Sequence, residues 1–191
     1  MAISFIEYIL TVLFSVFVIA SIIALVYSFY STALRIEIRE ELKQLAVQTG
    51  DQIVKLYEIA KLSKATPSNY SSVLISEIDL KLPTDVSKRN YQLLLVSASP
   101  VWSSISTFYV NSKNATVIEE TSGAKIIVQT IQSPIITVEQ DIPNIDVAVM
   151  GVSKNGKDSK LRYYRYNING NIYDTIVLGN STMLITISSV S

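Results

Sequence analysis

The chain has 191 residues and a formal net charge of zero, and 17% of its residues are charged. A neutral chain argues against a nucleic-acid-binding protein, because neutralising phosphates requires an excess of Lys and Arg on some surface. The chain contains no Cys and no His, which excludes disulfides, thiolate and imidazole chemistry, and nearly all zinc and haem sites. No Gly-rich phosphate loop occurs and no Ser has a His partner, so we expect no enzyme activity and no cofactor or metal.

The first predicted element is a long helix that begins with an apolar segment, residues 3–34. No charged side chain occurs from Tyr8 to Leu34, and about 20 helical residues are enough to cross the hydrocarbon core of a bilayer. No Gly or Pro separates this segment from an amphipathic one, residues 35–64. Together they predict a single helix of about 60 residues, roughly 90 Å long.

The amphipathic segment carries one apolar stripe whose members are three or four residues apart. They are Leu34, Ile38, Leu42, Leu45, Thr49, Ile53, Leu56 and Ala60. Such a stripe is typical of a coiled-coil seam or of a helix that packs on its own domain, and we favour the second. The exposed positions predict the ion pairs Glu40–Lys43, Asp51–Lys55 and Glu58–Lys61. Gly50 is a weak point, since Gly lowers helix stability by about 1 kcal/mol relative to Ala.

After Pro67 the pattern changes to short β-branched or alternating runs separated by turn signals, which is typical of strands. We predict strands at 73–82, 91–97, 104–110, 116–120, 125–130, 135–139, 145–152, 161–167, 172–178 and 183–190. The sequence therefore predicts an α+β protein. A long hydrophobic α-helix occupies residues 1–66, and an all-β, immunoglobulin-like or Greek-key sandwich occupies residues 67–191.

The predicted strand 161–167 interleaves arginine with tyrosine, a pattern that can stack nucleic-acid bases. In a domain with no net charge we interpret it instead as a tyrosine-faced strand with solvated arginines. We therefore expect no nucleic-acid partner.

Three Asn-x-Ser/Thr sequons begin at Asn69, Asn114 and Asn180. Each Asn lies in a predicted loop or turn, where such a sequon is accessible to glycosylation in a secreted protein. The alternative is that they are only turn-forming Asn residues. We expect glycan on at least one of them in a surface-exposed domain.

The N-terminal residues Ala2-Ile3-Ser4-Phe5-Ile6-Glu7-Tyr8 resemble the start of type IV pilins, where a small residue precedes an apolar run with one glutamate. Counted from Ile3, Glu7 takes the fifth position, which carries the glutamate in bacterial pilins. The Ala2-Ile3-Ser4 start before a long apolar helix also resembles archaeal pilins and archaellins. The resemblance covers roughly the first third of the chain, and it implies that Ile3, Phe5 and Glu7 take part in assembly.

The charges around the apolar segment conflict with an external domain. The basic residues Arg35, Arg39 and Lys43 all follow the segment, and the positive-inside rule would place the β domain in the cytoplasm. The Lys- and Arg-rich leader of pilin precursors does not appear in the sequence. The conflict disappears if such a leader has been removed.

Glu7 has two interpretations. A carboxylate in apolar surroundings costs several kcal/mol unless it is paired. It can lie near the positive end of the helix dipole, if it belongs to the first turn, and pair with the α-ammonium of a neighbouring chain. Alternatively, it lies among lipid headgroups, where it costs little.

The resemblance implies a structural subunit of an archaeal type IV-like pilus that polymerises through its helix and serves adhesion, motility or surface attachment. Its expected partners are further copies of itself, the membrane before assembly, a prepilin peptidase, a pilus assembly platform and cell surfaces. Its expected location is an extracellular filament, and the plasma membrane before assembly. The alternative is a membrane-anchored, archaellum stator-type accessory protein whose β-sandwich binds a partner outside the membrane.

Overall fold

A computed structural model of the chain describes the backbone of residues 2–97, 101–110, 113–119, 123–168, 170–179 and 184–187. Side chains are described over 6–97, 123–168 and 170–179. Helix α1 runs from Ala2 to Lys61 without interruption and has 60 residues, which confirms the single long helix. The chain divides into two compact units, Met1–Ile38 and Arg39–Ser191. The second half of α1 therefore belongs to the same unit as the strands.

Ten strands follow α1 in the part of the chain that the structure describes. They are β1 (Ser71–Asp79), β2 (Tyr91–Ser97), β3 (Val101–Val110), β4 (Lys113–Glu119), β5 (Ala124–Thr130), β6 (Thr137–Ile142), β7 (Ala148–Lys154), β8 (Lys160–Ile168), β9 (Asn171–Leu178) and β10 (Leu184–Ile187). Every predicted strand overlaps one of these. The predicted bounds of β2 are correct at both ends, and most other ends differ by one to three residues.

The strands form a mixed seven-stranded sheet and a smaller three-stranded sheet. The order in the large sheet is β1-β8-β9-β7-β2-β5-β6, and in the small one β10-β4-β3. β7 pairs with β9 in parallel, and β10 pairs with β4 in parallel. The α+β class, with a long apolar N-terminal helix followed by β-structure, is confirmed.

The second half of α1 packs on one face of the large sheet, as the apolar stripe predicts. Leu42, Thr49, Ile53, Leu56 and Ala60 are all at most 1% exposed. A Cβ placed on Gly50 would lie 3.7 Å from Ile126 Cδ1 of β5 and 3.8 Å from Ile142 Cγ1 of β6. These are ordinary van der Waals distances, so this turn of the helix lies directly over those two strands.

Alternation along β2 and β5 forms the sheet side of this contact. Leu93 and Leu95 of β2 are buried, and so are Ile126 and Val128 of β5, while the residues between them are half-buried. Leu95 lies opposite Ile126, and Leu93 lies opposite Val128. Opposed residues point to the same face, so these four side chains share the face that Ile126 turns towards α1. This layer is the hydrophobic core of the second unit.

Replacing Ile53 by Ala should destabilise the second unit by about 2–5 kcal/mol, because it leaves a cavity in a fully buried contact. Ile59 is the matched control: the same residue type on the same helix, but 47% exposed. Ile59→Ala should change the free energy of unfolding by no more than about 0.5 kcal/mol. Urea unfolding of the full chain in a non-ionic detergent, followed by near-ultraviolet circular dichroism, measures both. Equal effects would contradict the packing of the stripe on the sheet.

Buried tyrosines make the domain sensitive to alkali. Tyr91 is fully buried and its hydroxyl donates to the carbonyl oxygen of Pro83 at 2.6 Å. Burial, and next the charge of Asp85, raises the pKa of Tyr91 to about 12. Burial also raises the pKa of Tyr163 and of Tyr166. Above their ordinary pKa of about 10, these groups ionise in the unfolded chain while the folded chain keeps its protons.

The contribution of these tyrosines to the free energy of unfolding should therefore be constant below about pH 10 and fall as pH rises towards about 12. Each buried tyrosine contributes about 1.4 kcal/mol per pH unit in that window. Tyr91→Phe should lower stability at pH 7 by about 1 kcal/mol through the lost hydrogen bond, yet make the alkaline fall shallower. Urea midpoints between pH 7 and 12 test this. An unchanged slope in the variant would show that Tyr91 ionises freely in the folded protein.

Candidate functional site

The first half of α1 exposes apolar side chains around its whole circumference. Val12, Leu13 and Phe14 are consecutive and are 44%, 59% and 69% exposed. Consecutive helical residues point about 100° apart, so these three alone face most directions. The same pattern continues to Tyr30, which is 67% exposed. A helix that is apolar on every side is not stable when it is exposed to water, and needs lipid or other apolar chains around it.

The dimensions of this surface match a bilayer. Within the described residues, α1 is the one helix long and apolar enough to cross a membrane, with a mean hydropathy of 3.0 over its most apolar window. Tyr8 lies at the start of the apolar surface, and Tyr27 and Tyr30 lie at its end. At 1.5 Å per residue, Tyr8 and Tyr30 are about 33 Å apart, close to the roughly 30 Å hydrocarbon core. Tyrosines at both ends are typical of the membrane–water interfaces.

Most serine and threonine hydroxyl groups of this segment donate hydrogen bonds to carbonyl oxygens of their own helix. Thr11 donates to the carbonyl oxygen of Glu7, and Ser15 to that of Thr11, each at 2.8 Å. Ser21 donates to the carbonyl oxygen of Phe17 at 2.9 Å, and Thr32 to that of Ser28 at 2.9 Å. A polar group in lipid without a partner is costly. These hydroxyls therefore need neither water nor a neighbouring chain.

The residues predicted to act in assembly all lie on α1. Ile3 and Phe5 belong to the helix, and their side chains lie outside the described ones. Glu7 is exposed. Because α1 begins at Ala2, Glu7 lies in the second turn, so the condition on which the dipole interpretation depends is not met. The dipole effect falls off within the first turn, so Glu7 gains little from the helix itself.

Small residues give α1 one narrow side. Ala20, Ala24 and Ser28 follow each other at four-residue spacing on the helix, and Ser21 lies within about 100° of them. Ser15, which the sequence groups with Ala20, Ser21 and Ala24, lies about 140° from Ala20 and faces elsewhere. Small residues on one side of a helix in lipid allow a second helix to approach closely.

Arg165 ties the end of α1 to the sheet. Its guanidinium forms two hydrogen bonds with Asp174, at 2.8 and 3.1 Å, and this contact raises the pKa of Arg165. The same guanidinium donates to the carbonyl oxygens of Ser63 and Ala65, at 2.8 and 3.1 Å. The chain that leaves the helix is thereby fixed against β8 and β9. Arg162 likewise pairs with Glu77 at 2.7 Å, so the interpretation of solvated arginines is wrong.

A second contact holds the loop between β6 and β7 to the last turns of α1. The Tyr57 hydroxyl donates to Asp146, and the Lys61 ammonium lies 3.4 Å from the same carboxylate and 4.4 Å from the centre of the Tyr57 ring. Burial, and next the hydrogen bond with Asp146, raises the pKa of Tyr57. Lys61 thus pairs with Asp146 and not with Glu58 as predicted. Asp146 was not singled out from the sequence, and Arg165 was interpreted only as a solvated arginine. Sequence spacing does not reveal their partners on α1 and just after it, because these lie 85–102 residues away in the chain.

The three sequons differ in their placement. Asn69 lies in an exposed turn before β1, and its side-chain oxygen accepts a hydrogen bond from Tyr70 N at 3.1 Å. Asn114 is the second residue of β4, opposite Tyr109, so the loop expected at this position is wrong. Asn180 lies outside the described residues. Glycan occupancy stays a prediction, which the intact mass of native protein would decide.

No metal site is evident in the part of the chain that the structure describes, where no three acidic side chains lie close enough to share an ion. Comparisons of the chain with protein-family models, with curated proteins and with solved structures found no match. The basis for proposing a function is therefore the arrangement of the apolar helix, together with the resemblance of the N-terminal residues to pilins.

We expect a chain that begins at Leu34 to be a soluble monomer, whereas the full chain assembles or requires detergent. The physical reason is that the large apolar side chains exposed on all sides of α1 precede Leu34. Size-exclusion chromatography with light scattering, with and without detergent, measures the difference. Filaments formed by the shortened chain would contradict the expectation that the apolar helix forms the filament core.

Proposed function

We propose that the protein is a structural subunit of an archaeal type IV-like pilus. One observation carries the proposal: a single helix is apolar on all sides over residues 6–30 and packed on a β domain over residues 42–60. Within the described part of the chain, the side chains of the apolar half are exposed and no other element covers them. A membrane covers it before assembly, and the apolar helices of neighbouring subunits cover it in the filament.

The chemistry of α1 supports this exchange of lipid for protein. Lipid tails are as apolar as leucine, so the hydrophobic effect does not drive helices together inside a bilayer, and close packing has to do so. The small side formed by Ala20, Ala24 and Ser28 provides close packing. Hydroxyls such as Ser15 and Ser21 already bond to the helix backbone, so leaving the membrane breaks none of their hydrogen bonds.

In the filament the β domain forms the outer surface. Its exposed sequon at Asn69 then faces the medium and carries glycan, and the domain makes the contacts that serve adhesion or surface attachment. Before assembly the subunit resides in the plasma membrane, where a prepilin peptidase and a pilus assembly platform act on it. The contacts of Arg165 fix the end of the helix to the domain, so that tension on the domain reaches the helix through side-chain bonds.

The alternative is a permanently anchored, archaellum stator-type accessory protein. The spacing of about 33 Å between Tyr8 and Tyr30 favours this alternative, because a helix that stays in the bilayer needs interfacial residues at both ends. The two functions differ in one observable property. Electron microscopy of the purified native protein shows filaments for a pilin and no filaments for an anchor.

Glu7→Ala should impair assembly more than it impairs membrane insertion. Without the carboxylate the apolar segment enters lipid more easily. If Glu7 pairs with the terminal ammonium of a neighbour, its loss leaves that ammonium buried and unpaired, which typically costs about 3–5 kcal/mol. The measurement is the ratio of filamentous to membrane-retained subunit in the variant and the parent.

Glu37→Ala is the matched control, since Glu37 is an exposed glutamate of the same helix beyond the apolar surface. It should leave the ratio unchanged. Stranded subunits for Glu7→Ala alone support the pairing role. An unchanged ratio in both variants would falsify that role and leave Glu7 as a headgroup-level residue.

A further inference from the structure

Three loops meet at one end of the large sheet. They are the β1–β2 loop over residues 83–90, the β5–β6 loop over residues 131–136 and the β7–β8 turn over residues 154–158. Ile131 N donates to the carbonyl oxygen of Asn90 at 2.9 Å, and Asn155 Nδ2 donates to Asn90 Oδ1, also at 2.9 Å. We call these three loops together the loop end.

The loop end is one preformed surface. The Arg89 guanidinium donates to the carbonyl oxygen of Ser133 at 2.7 Å, which fixes the first loop to the second. Gly156 has a φ of +67°, and a Cβ placed on it would lie 2.7 Å from the carbonyl oxygen of Pro83. Glycine is needed for so close an approach, so the first loop also packs tightly on the third.

The loop end lies beside the first turns of the packed half of α1. The Ser87 hydroxyl donates to Glu41 Oε2 at 3.0 Å, whereas the opposite end of the sheet holds the last turns of α1 through Asp146. Glu41 follows Leu34 by seven residues, or about 10 Å along the same helix. The loop end therefore accompanies the part of α1 that directly continues the apolar segment.

Exposed isoleucines and basic side chains occur together on this surface. Ile131 is 46% exposed, and Ile135, at 70%, is the most exposed large apolar side chain described beyond residue 66. The loop end has four basic residues and two acidic ones: Lys88, Arg89, Lys154, Lys157, Asp85 and Asp158. Among the side chains that the structure describes, its three lysines are exposed and form no ion pair.

We propose that the loop end lies on the headgroup layer of an anionic membrane while α1 crosses that membrane. This inference rests on the membrane stage of the proposed function, and it adds a second contact with lipid, made by the β domain. The headgroup layer extends about 5–8 Å beyond the hydrocarbon core on each side, so a surface beside Glu41 is within its reach. Because α1 already tethers the domain to the bilayer, even a weak surface acts at high local concentration.

The composition of the loop end favours lipid over other partners. At a membrane surface, isoleucine side chains enter the boundary between headgroups and acyl chains, and lysines meet lipid phosphates. A nucleic acid would use the charges but leave Ile131 and Ile135 in water. A second loop end would bring like charges together. The whole chain has no net charge, so the local arrangement and not the total charge provides the attraction. The contact ends when the subunit leaves the membrane for a filament.

Single-cysteine labels measure the depth of the loop end, because the chain has no Cys of its own. Full-length Ile135→Cys, labelled with bimane, is placed in nanodiscs of phosphatidylglycerol and phosphatidylcholine with a nitroxide on some headgroups. Its fluorescence should be quenched several-fold more than that of Ile172→Cys. Ile172 is the matched control, since it is 44% exposed but lies at the opposite end. Its ladder partner Asn167 bonds to the carbonyl oxygen of Pro67, just after α1.

Charge reversal is the second measurement. Lys88→Glu and Lys157→Glu should each lower the ratio of docked to undocked label at position 135 by about 5-fold, the equivalent of roughly 1 kcal/mol for one basic residue at an anionic surface. Nanodiscs of phosphatidylcholine alone should lower it as well. Lys64→Glu is the control, since Lys64 is an exposed lysine just after α1, and it should leave the ratio unchanged. Near-ultraviolet circular dichroism equal to that of the parent shows that each variant is folded.

A third label separates failure of the inference from failure of the proposed function. Leu25→Cys lies in the apolar segment, and a nitroxide deep in the acyl chains should quench its label. If this label is quenched but position 135 is quenched no more than position 172, the inference is overturned and the proposed function stands. Quenching at 135 that persists in both charge variants and without anionic lipid also overturns it. If the Leu25→Cys label is not quenched, α1 does not enter lipid, and the membrane stage of the proposed function fails too.

Discussion

The contact between the second half of α1 and the large sheet determines the rest of the structure. Leu42, Ile53 and Leu56 bury the apolar stripe of the helix against the face of β2 and β5. This uses the apolar side of the amphipathic segment within its own unit. Among the side chains that the structure describes, those of the first half of α1 remain exposed from Ile6 to Tyr30. One half of the helix thus belongs to a domain, and the other half needs an environment that the chain does not supply.

That environment has to satisfy the backbone as well as the apolar side chains. An α-helix satisfies its backbone hydrogen bonds internally, and the hydroxyls of Thr11, Ser15, Ser21 and Thr32 bond to carbonyl oxygens of their own helix. The segment therefore brings almost no unsatisfied hydrogen-bonding group into either lipid or a bundle of helices. The proposed change from membrane to filament requires a helix that is stable in both of these apolar surroundings. Glu7 is the one charged residue among the described side chains of the segment.

Several charged side chains of the second unit form ion pairs with one another, and others do not. Arg162 of β8 forms an ion pair with Glu77 of the neighbouring strand β1, and Arg165 of β8 forms one with Asp174 of the neighbouring strand β9. Lys61 of α1 pairs with Asp146. These cations fasten the helix end and the strands to each other. Arg39, Lys43 and Asp51 of α1 have no such partner among the described side chains.

The sequence by itself determined the long helix, its division into an apolar and an amphipathic half, and the existence of ten strands, because these follow from local periodicity and turn residues. It also determined which side of the helix is buried, since Leu42, Ile53 and Leu56 share one side. That this side packs on the sheet and not on a second helix was decided by the tertiary structure. Only the tertiary structure decided the strand order, the parallel pairing of β7 with β9, and the partners of Arg165 and Lys61. Those contacts join residues far apart in the chain. Local spacing predicts ion pairs between neighbours on one helix, such as Glu58 with Lys61. In the folded chain Lys61 pairs instead with Asp146, which the fold brings close and which also accepts a hydrogen bond from Tyr57.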